Sequence, residues 1–265
     1  MPIEVERNAG VWTITINRPE RRNALDLPHF QQLASAWMDF RDDDEARVAI
    51  VTGVANSFCV GADLKSFVPA VTDDVEGLAT GVRTDFPADA GLVAVLREFD
   101  LWKPVIAAVN GLCVAGGMEM LLGTDIRVAS EQASFGISEP KRGLFPGGGT
   151  TVRLPRQIPF PWAMEILLTG EFVDAGDAFR MGLVNKVVPQ EELLAEARKW
   201  AEIIMANAPL AISAVKKSVL TGLRMNLKEA FEQELALAAE VFMTEDAREG
   251  PLAFAEKRKP EWKGK

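Results

Sequence analysis

Four short runs along the chain combine β-branched residues in strand-like order: VWTITI (Val11–Ile16), RVAIVTG (47–53), PVIAAVNG (104–111) and DIRVAS (125–130). The first alternates side to side, whereas VAIV and VIAAV are continuously apolar, the pattern of strands covered on both faces. Between the first two runs, Leu27, Phe30, Leu33, Trp37 and Phe40 recur every three to four residues and predict an amphipathic helix. Strands alternating with helices predict an α/β core over residues 1–188. From Pro189 the pattern becomes helical. Leu193, Leu194, Ala197, Trp200, Ala201 and Ile204 form one stripe, and Ile212, Val215, Val219, Leu227, Phe231, Leu235 and Phe242 continue the spacing. Residues 189–265 therefore read as a helical region, either a second small domain or a surface on which subunits pack.

An internal echo accompanies the strands. RVAIVTG is followed by SFCVGADL, and PVIAAVNG by LCVAGGMEM, so that Cys59-Val60-Gly61-Ala62 aligns with Cys113-Val114-Ala115-Gly116. The echo favours a fold whose successive turns repeat one supersecondary unit. Small residues where a strand meets a helix let a ligand approach the backbone and leave N–H groups free to point at it. Amides at Ala62 and Gly116 aimed at one oxygen would make an oxyanion hole; the alternative is a pair of tight turns packed against neighbours.

The bulk numbers change this picture little. With 48% hydrophobic and 25% charged residues the 265-residue chain is expected to fold rather than remain disordered. Its net charge of −9 speaks against a nucleic-acid partner. No leader-like segment opens the sequence and no apolar run approaches a membrane span, so a cytoplasmic protein is expected. Cys59 and Cys113 form neither a disulfide framework nor a metal-ligand spacing, and read as small buried hydrophobes. The single histidine, His29, makes a His-based metal site or a Ser–His–Asp triad improbable, and tyrosine is absent.

Two carboxylates stand out. Glu119 follows Gly116 by three residues, among Met118, Met120, Leu121 and Leu122, a setting that raises a carboxyl pKa towards the range of a general acid or base; it could also serve only as a helix-capping charge. Glu139 lies in ASFGISEPKRGLFPGGGT, a loop-rich wall, and on composition alone reads as solvated loop charge. The glycines from Gly147 lack the lysine and hydroxyl of a phosphate-binding loop.

IAAVNGLCVAGGMEMLLGTDIRVAS with ASFGISEPKRGLFPGGGT resembles the enoyl-CoA hydratase/isomerase, or crotonase, superfamily. NRPERRNAL, SFCVGADLK, GLVNKVVP and AFAEKRKP extend the resemblance over nearly the whole chain. It implies a spiral of ββα turns with a C-terminal helical trimerisation region, assembling as a homotrimer or homohexamer, and an acyl-CoA thioester substrate whose enolate is stabilised on the thioester oxygen. It implies backbone donors at Ala62 and Gly116, and catalytic glutamates at Glu119, activating water, and Glu139, protonating C2. Binding of CoA is implied at Ala24 and Ala62-Asp63-Leu64-Lys65, with Phe254 and Lys257 lent to a neighbouring subunit. No metal or separate cofactor is implied, since CoA belongs to the substrate.

The chain departs from the family in places. Ala115 replaces a common glycine and should be tolerated, Ser138 stands where many hydratases have proline, and Gly147 occupies the position of the aspartate used by dienoyl isomerases. The stretch from Ser66 to Gly91 is acidic and aperiodic, where the family shapes its acyl pocket, and Phe67, Val68, Phe86, Phe145 and Trp162 are candidate lining or core residues. Expectations therefore rank a 2-enoyl-CoA hydratase first. Next come a 3-hydroxyacyl-CoA dehydratase of carnitinyl-CoA type and a double-bond isomerase, and last a non-catalytic scaffold or RNA-binding protein.

Overall fold

The computed structural model describes residues 3–66 and 88–265. Phe67, Val68 and Phe86 lie outside the described residues. Strand β1 (Ile3–Asn8) and strand β2 (Val11–Ile16) form an antiparallel hairpin through Ala9 and Gly10, both at positive φ. The chain continues through helix α1 (Leu27–Asp42), strands β3 (Val48–Gly53) and β4 (Ser57–Cys59), helix α2 (Ala88–Ala94), and strands β5 (Val105–Val109) and β6 (Leu112–Val114). Helix α3 (Gly116–Leu121) leads to β7 (Ile126–Ser130) and β8 (Ser134–Gly136), then to α4 (Thr150–Gln157), α5 (Phe160–Thr169), β9 (Val173–Asp174), α6 (Ala175–Arg180) and β10 (Lys186–Val188). Four helices close the chain: α7 (Leu193–Met205), α8 (Pro209–Gly222), α9 (Leu227–Phe242) and α10 (Asp246–Glu256).

The strands form two sheets. One has the order β1-β2-β3-β5-β7-β10, parallel from β2 onward; the other has the order β4-β6-β8-β9. Each spiral turn places a long strand in the first sheet, turns a corner, and places a three-residue strand in the second. The echo is the stacking of these turns. Cys59 pairs with Cys113 across β4 and β6, and Cys113 pairs with Phe135 of β8, a third turn. Buried asparagines fix the corners. Asn110 accepts from the Gly53 amide and donates to the Ala55 and Ser57 carbonyls, while Asn23 donates to the carbonyls of Val54 and Ser57. Such fully satisfied buried amides fix the path of the chain between the sheets.

The continuous apolar runs have the expected cause. Ala49, Val51, Val105, Ala107 and Val109 face the main core with Phe30, Leu33, Trp37 and Phe40 of α1. Their neighbours Val48, Ile50, Ile106, Ala108 and Val128 pack on the other face against Leu193, Ala197 and Ala201 of α7. Both faces are dry. On α7 the predicted stripe is corrected at one position: Leu194 is exposed, because Leu193 takes the sheet-facing place.

The last helices behave otherwise. No residue of α8 is buried and only Leu237 of α9 is, while Val215, Val219, Leu227, Phe231, Leu235 and Phe242 are exposed. Their apolar spacing forms helix without serving this chain's own core. The buried Lys216 side chain pins α8 to the spiral by pairing with Asp125 at 2.7 Å and donating to the Lys103 carbonyl at 2.9 Å.

Candidate active site

The first two stacked turns meet at their glycines. After β4, Gly61 takes φ +82°, and Ala62 is bridged to Leu25: the Leu25 amide donates to the Gly61 carbonyl and the Asp63 amide to the Leu25 carbonyl, each at 2.8 Å. After β6, Ala115 takes φ +52° and ψ −126° and leads into α3. A Cβ at Gly61 would lie 2.6 Å from the Gly116 nitrogen, and one at Gly116 would lie 3.8 Å from the Ala62 nitrogen. Only backbone fits between the turns. Among the described residues neither the Ala62 nor the Gly116 amide has an acceptor, so two adjacent donors are uncommitted. Ala115 is accommodated there, but in a region that favours glycine, at a cost of about 1–3 kcal/mol.

Every residue of α3 is buried, Glu119 included, at 8% exposure. Its side chain accepts a short hydrogen bond from the Gly148 amide. Burial raises its pKa to about 7, helped by the charge of Glu139 and opposed by the Gly148 amide, Arg97 and Arg153. Gly148 has no substitute here, because a Cβ would collide with the Glu119 carboxyl. The arginines act on the backbone around it. Arg153 donates to the carbonyls of Glu119 (3.4 Å), Val95 (3.3 Å) and Leu96, and Arg97 donates to the Gly147 carbonyl.

Glu139 follows β8 on the third turn and leads a single 3-10 turn, Pro140–Arg142. It is not the solvated loop charge that composition implied. Its Oε2 is buried with no hydrogen-bond partner among the described residues, and burial raises its pKa, opposed by the Glu139 and Ser138 amides and by Arg142. That its charge also raises Glu119 means the two carboxyls interact and titrate as a pair.

The other expected residues divide. Ala24 is buried and its carbonyl accepts from Arg18 at 2.9 Å; Asp63 pairs with the same arginine at 3.1 Å; Leu64 and Lys65 are exposed beside them. These four residues flank Ala62. Phe254 is 86% exposed on α10, and Lys257 caps that helix at φ +56°. Phe145 and Trp162 are exposed rather than core. His29 is buried with Nδ1 against Asp26, and burial pushes the Cys59 thiol up to about 12, with Cys113 raised by the same cause. Sequence reasoning passed over Gly148, Arg97, Arg153 and Arg18. Only the glycine run carried a signal, and it was weighed as a phosphate loop.

Two free amides on stacked spiral turns, beside a coupled pair of buried carboxyls, make a site suited to a carbonyl that gains negative charge while a proton moves nearby. The chain belongs to the enoyl-CoA hydratase/isomerase family, whose description matches residues 6–265. It is 42% identical over 263 residues to the enoyl-CoA hydratase EchA19 of Mycobacterium tuberculosis, covering 98% of this chain and 96% of the relative. It is 39% identical over 268 residues to the carnitinyl-CoA dehydratase of Escherichia coli K12, covering 99% and 98%. Among solved structures, an enoyl-CoA hydratase from Bacillus anthracis superposes with a TM-score of 0.91 at 33% identity, and one from Mycobacterium tuberculosis with 0.88 at 38%. The first covers 100% of both chains; the second covers 100% of this chain and 99% of its counterpart. The protein is an enzyme of the hydratase type.

Proposed function

We propose that the protein adds water reversibly across the C2=C3 bond of a 2-enoyl-CoA thioester. The observation that carries the reading is the pair of interacting buried carboxyls, Glu119 and Glu139, beside the free amides of Ala62 and Gly116. Hydration needs a base to activate water towards C3, an acid to protonate C2, and donors for the charge that gathers on the thioester oxygen. Each donor of this kind is worth roughly 2.7–4 kcal/mol to the transition state, and each positioned acid or base about 10²–10⁴-fold in rate.

In this reading the pair holds one proton in its reactive form. Glu119 is raised to about 7, further than Glu139, so in the free protein that proton rests on Glu119. For Glu119 to activate water, the bound substrate must hand the proton to Glu139. The unpartnered Oε2 of Glu139 favours this, because further desolvation by an acyl chain penalises its charged form. CoA enters as part of the substrate, its nucleotide end on Ala24, Asp63, Leu64 and Lys65. The exposed apolar face of α8 and α9 serves assembly into trimers or hexamers, in which Phe254 and Lys257 reach a neighbour's CoA.

The similarity to a carnitinyl-CoA dehydratase supports a second reading, the same chemistry run as dehydration of a 3-hydroxyacyl-CoA. An isomerase with a single proton shuttle leaves one of the two carboxyls without a task. The test is product analysis in H₂¹⁸O with short, long and branched 2-enoyl-CoAs and a crotonobetainyl thioester. Hydration gives a 3-hydroxyacyl-CoA carrying ¹⁸O at C3 as the conjugated absorbance falls. A shifted double bond without ¹⁸O would overturn the proposal.

A further inference from the structure

We infer that Arg18 is a positioning residue for the Ala62 amide, an inference that rests on reading Ala62 and Gly116 as the donors to the thioester oxygen. Arg21 and Arg22 in the same motif are exposed, but the Arg18 side chain is only 15% exposed. Its guanidinium reaches three separate groups: Nη1 lies 3.1 Å from Asp63 Oδ2 and donates to the Ala24 carbonyl at 2.9 Å, and Nη2 lies 3.1 Å from Asp26 Oδ2. Its own backbone is fixed by Asn23, whose Oδ1 accepts from the Arg18 amide and whose amide donates to the Arg18 carbonyl, each at 2.9 Å. Asp26 in turn caps α1 by accepting from the His29 amide.

What this clamp encloses is the Leu25–Ala62 bridge. Ala24 precedes Leu25 on one side of the bridge, and Asp63 follows Ala62 on the other. The bridge's two backbone hydrogen bonds flank the Ala62 peptide, so its register decides where the uncommitted Ala62 N–H points. Just beyond, Leu64, Lys65 and Ser66 are exposed. Arg18 is the one side chain holding both sides at once, through a carbonyl on one and a carboxylate on the other. A planar fork with separately directed N–H groups suits this arrangement, and a lysine's point charge does not. Because the donor acts on charge that appears only in the transition state, misplacing it lowers kcat more than it raises KM.

The test compares Arg18→Gln, Arg18→Lys, Asp63→Asn and the double variant Arg18→Gln/Asp63→Asn with the native protein. Readouts are kcat and KM for enoyl-CoA hydration, and the red shift of a bound 2,4-dienoyl-CoA, whose chromophore reports polarisation of the thioester carbonyl. Both glutamine and asparagine variants should lose roughly 10- to 100-fold in kcat, with KM within about threefold and a smaller red shift. The double variant should fall within about threefold of either single one, because both cut the same strut. The lysine should restore little.

Should Arg18→Gln fail to fold, Asp63→Asn decides, since it leaves Arg18 its contacts with Asp26 and Ala24. A folded Asp63→Asn or Arg18→Gln protein with native kcat and full red shift overturns the inference, as does a loss of kcat with the shift undiminished. A native protein that shifts the chromophore without hydrating contradicts the proposed reaction alone, and the Arg18 comparison is then read on the shift. A native protein that gives no shift overturns both.

Discussion

Glu119 is held in a state that costs the fold stability at neutral pH, and Glu119→Gln makes that cost measurable. Burial and the neighbouring Glu139 displace its pKa from 4.5 to about 7, a difference of about 3 kcal/mol between protonation states. The folded protein therefore keeps a proton that an unfolded glutamate has released, and binds more protons than the unfolded chain between those values. Stability falls as pH rises through this window; below 4.5 the penalty is absent and above 7 it is complete. Glutamine carries no such dependence, while its amide oxygen can still accept from Gly148.

Any lost or gained contacts in the variant are the same at each pH, so the change in stability difference isolates the titration. Urea unfolding of both proteins at pH 5 and pH 8, at one protein concentration, should show the variant gaining about 2–3 kcal/mol on the native protein between the two conditions. In thermal scans that corresponds to roughly 4–12 °C. A stability difference that stays constant within about 1 kcal/mol, one unit's worth of the shift, would refute the reasoning.

Four more outcomes are expected. The pH profile of kcat/KM should be bell-shaped, falling above about 7 as the carboxyl pair loses the proton it must deliver; a flat profile across that value would contradict the paired titration. Gly148→Ala, whose Cβ meets the Glu119 carboxyl, should cut kcat about 100-fold while the protein stays folded by circular dichroism, and native turnover would contradict the geometry. Ala115→Gly relieves an alanine at φ +52° and should stabilise the protein by about 0.5–2 kcal/mol in urea, after the added chain entropy; destabilisation would show that the strain is not there. Replacing Phe231 and Leu235 with aspartate should leave smaller species in sedimentation velocity than the native protein forms, and an unchanged distribution would remove the assembly role of α9.

The readable parts of the sequence were those whose signal is local. The long strands and α1 announce themselves by period, and Val11–Ile16 falls where its alternation places it. The strands at Ser57–Cys59, Leu112–Val114 and Ser134–Gly136 are three residues each, too short to show a period, yet they build the second sheet. The echo stood in for them, because stacked turns place equivalent residues side by side, as Cys59 and Cys113 are. Glu119 was visible because apolar neighbours in sequence become its walls on a buried helix. Glu139 was misjudged on composition because its burial comes from other parts of the chain. Gly148 was opaque for the same reason, lying 29 residues from the carboxylate it serves. Apolar spacing in α8 and α9 fixed their helices but not their direction: the same stripe can face a core or a second copy.

Everything proposed for the site depends on both carboxyls taking part in one addition of water. The direct measurement is kcat for hydration of a 2-enoyl-CoA by the native protein, Glu119→Gln and Glu139→Gln, followed as loss of the conjugated absorbance. Each variant should lose at least about 100-fold with the acyl-CoA still bound. Should either glutamine protein turn over at the native rate, that carboxyl is a bystander and the proposed mechanism is wrong.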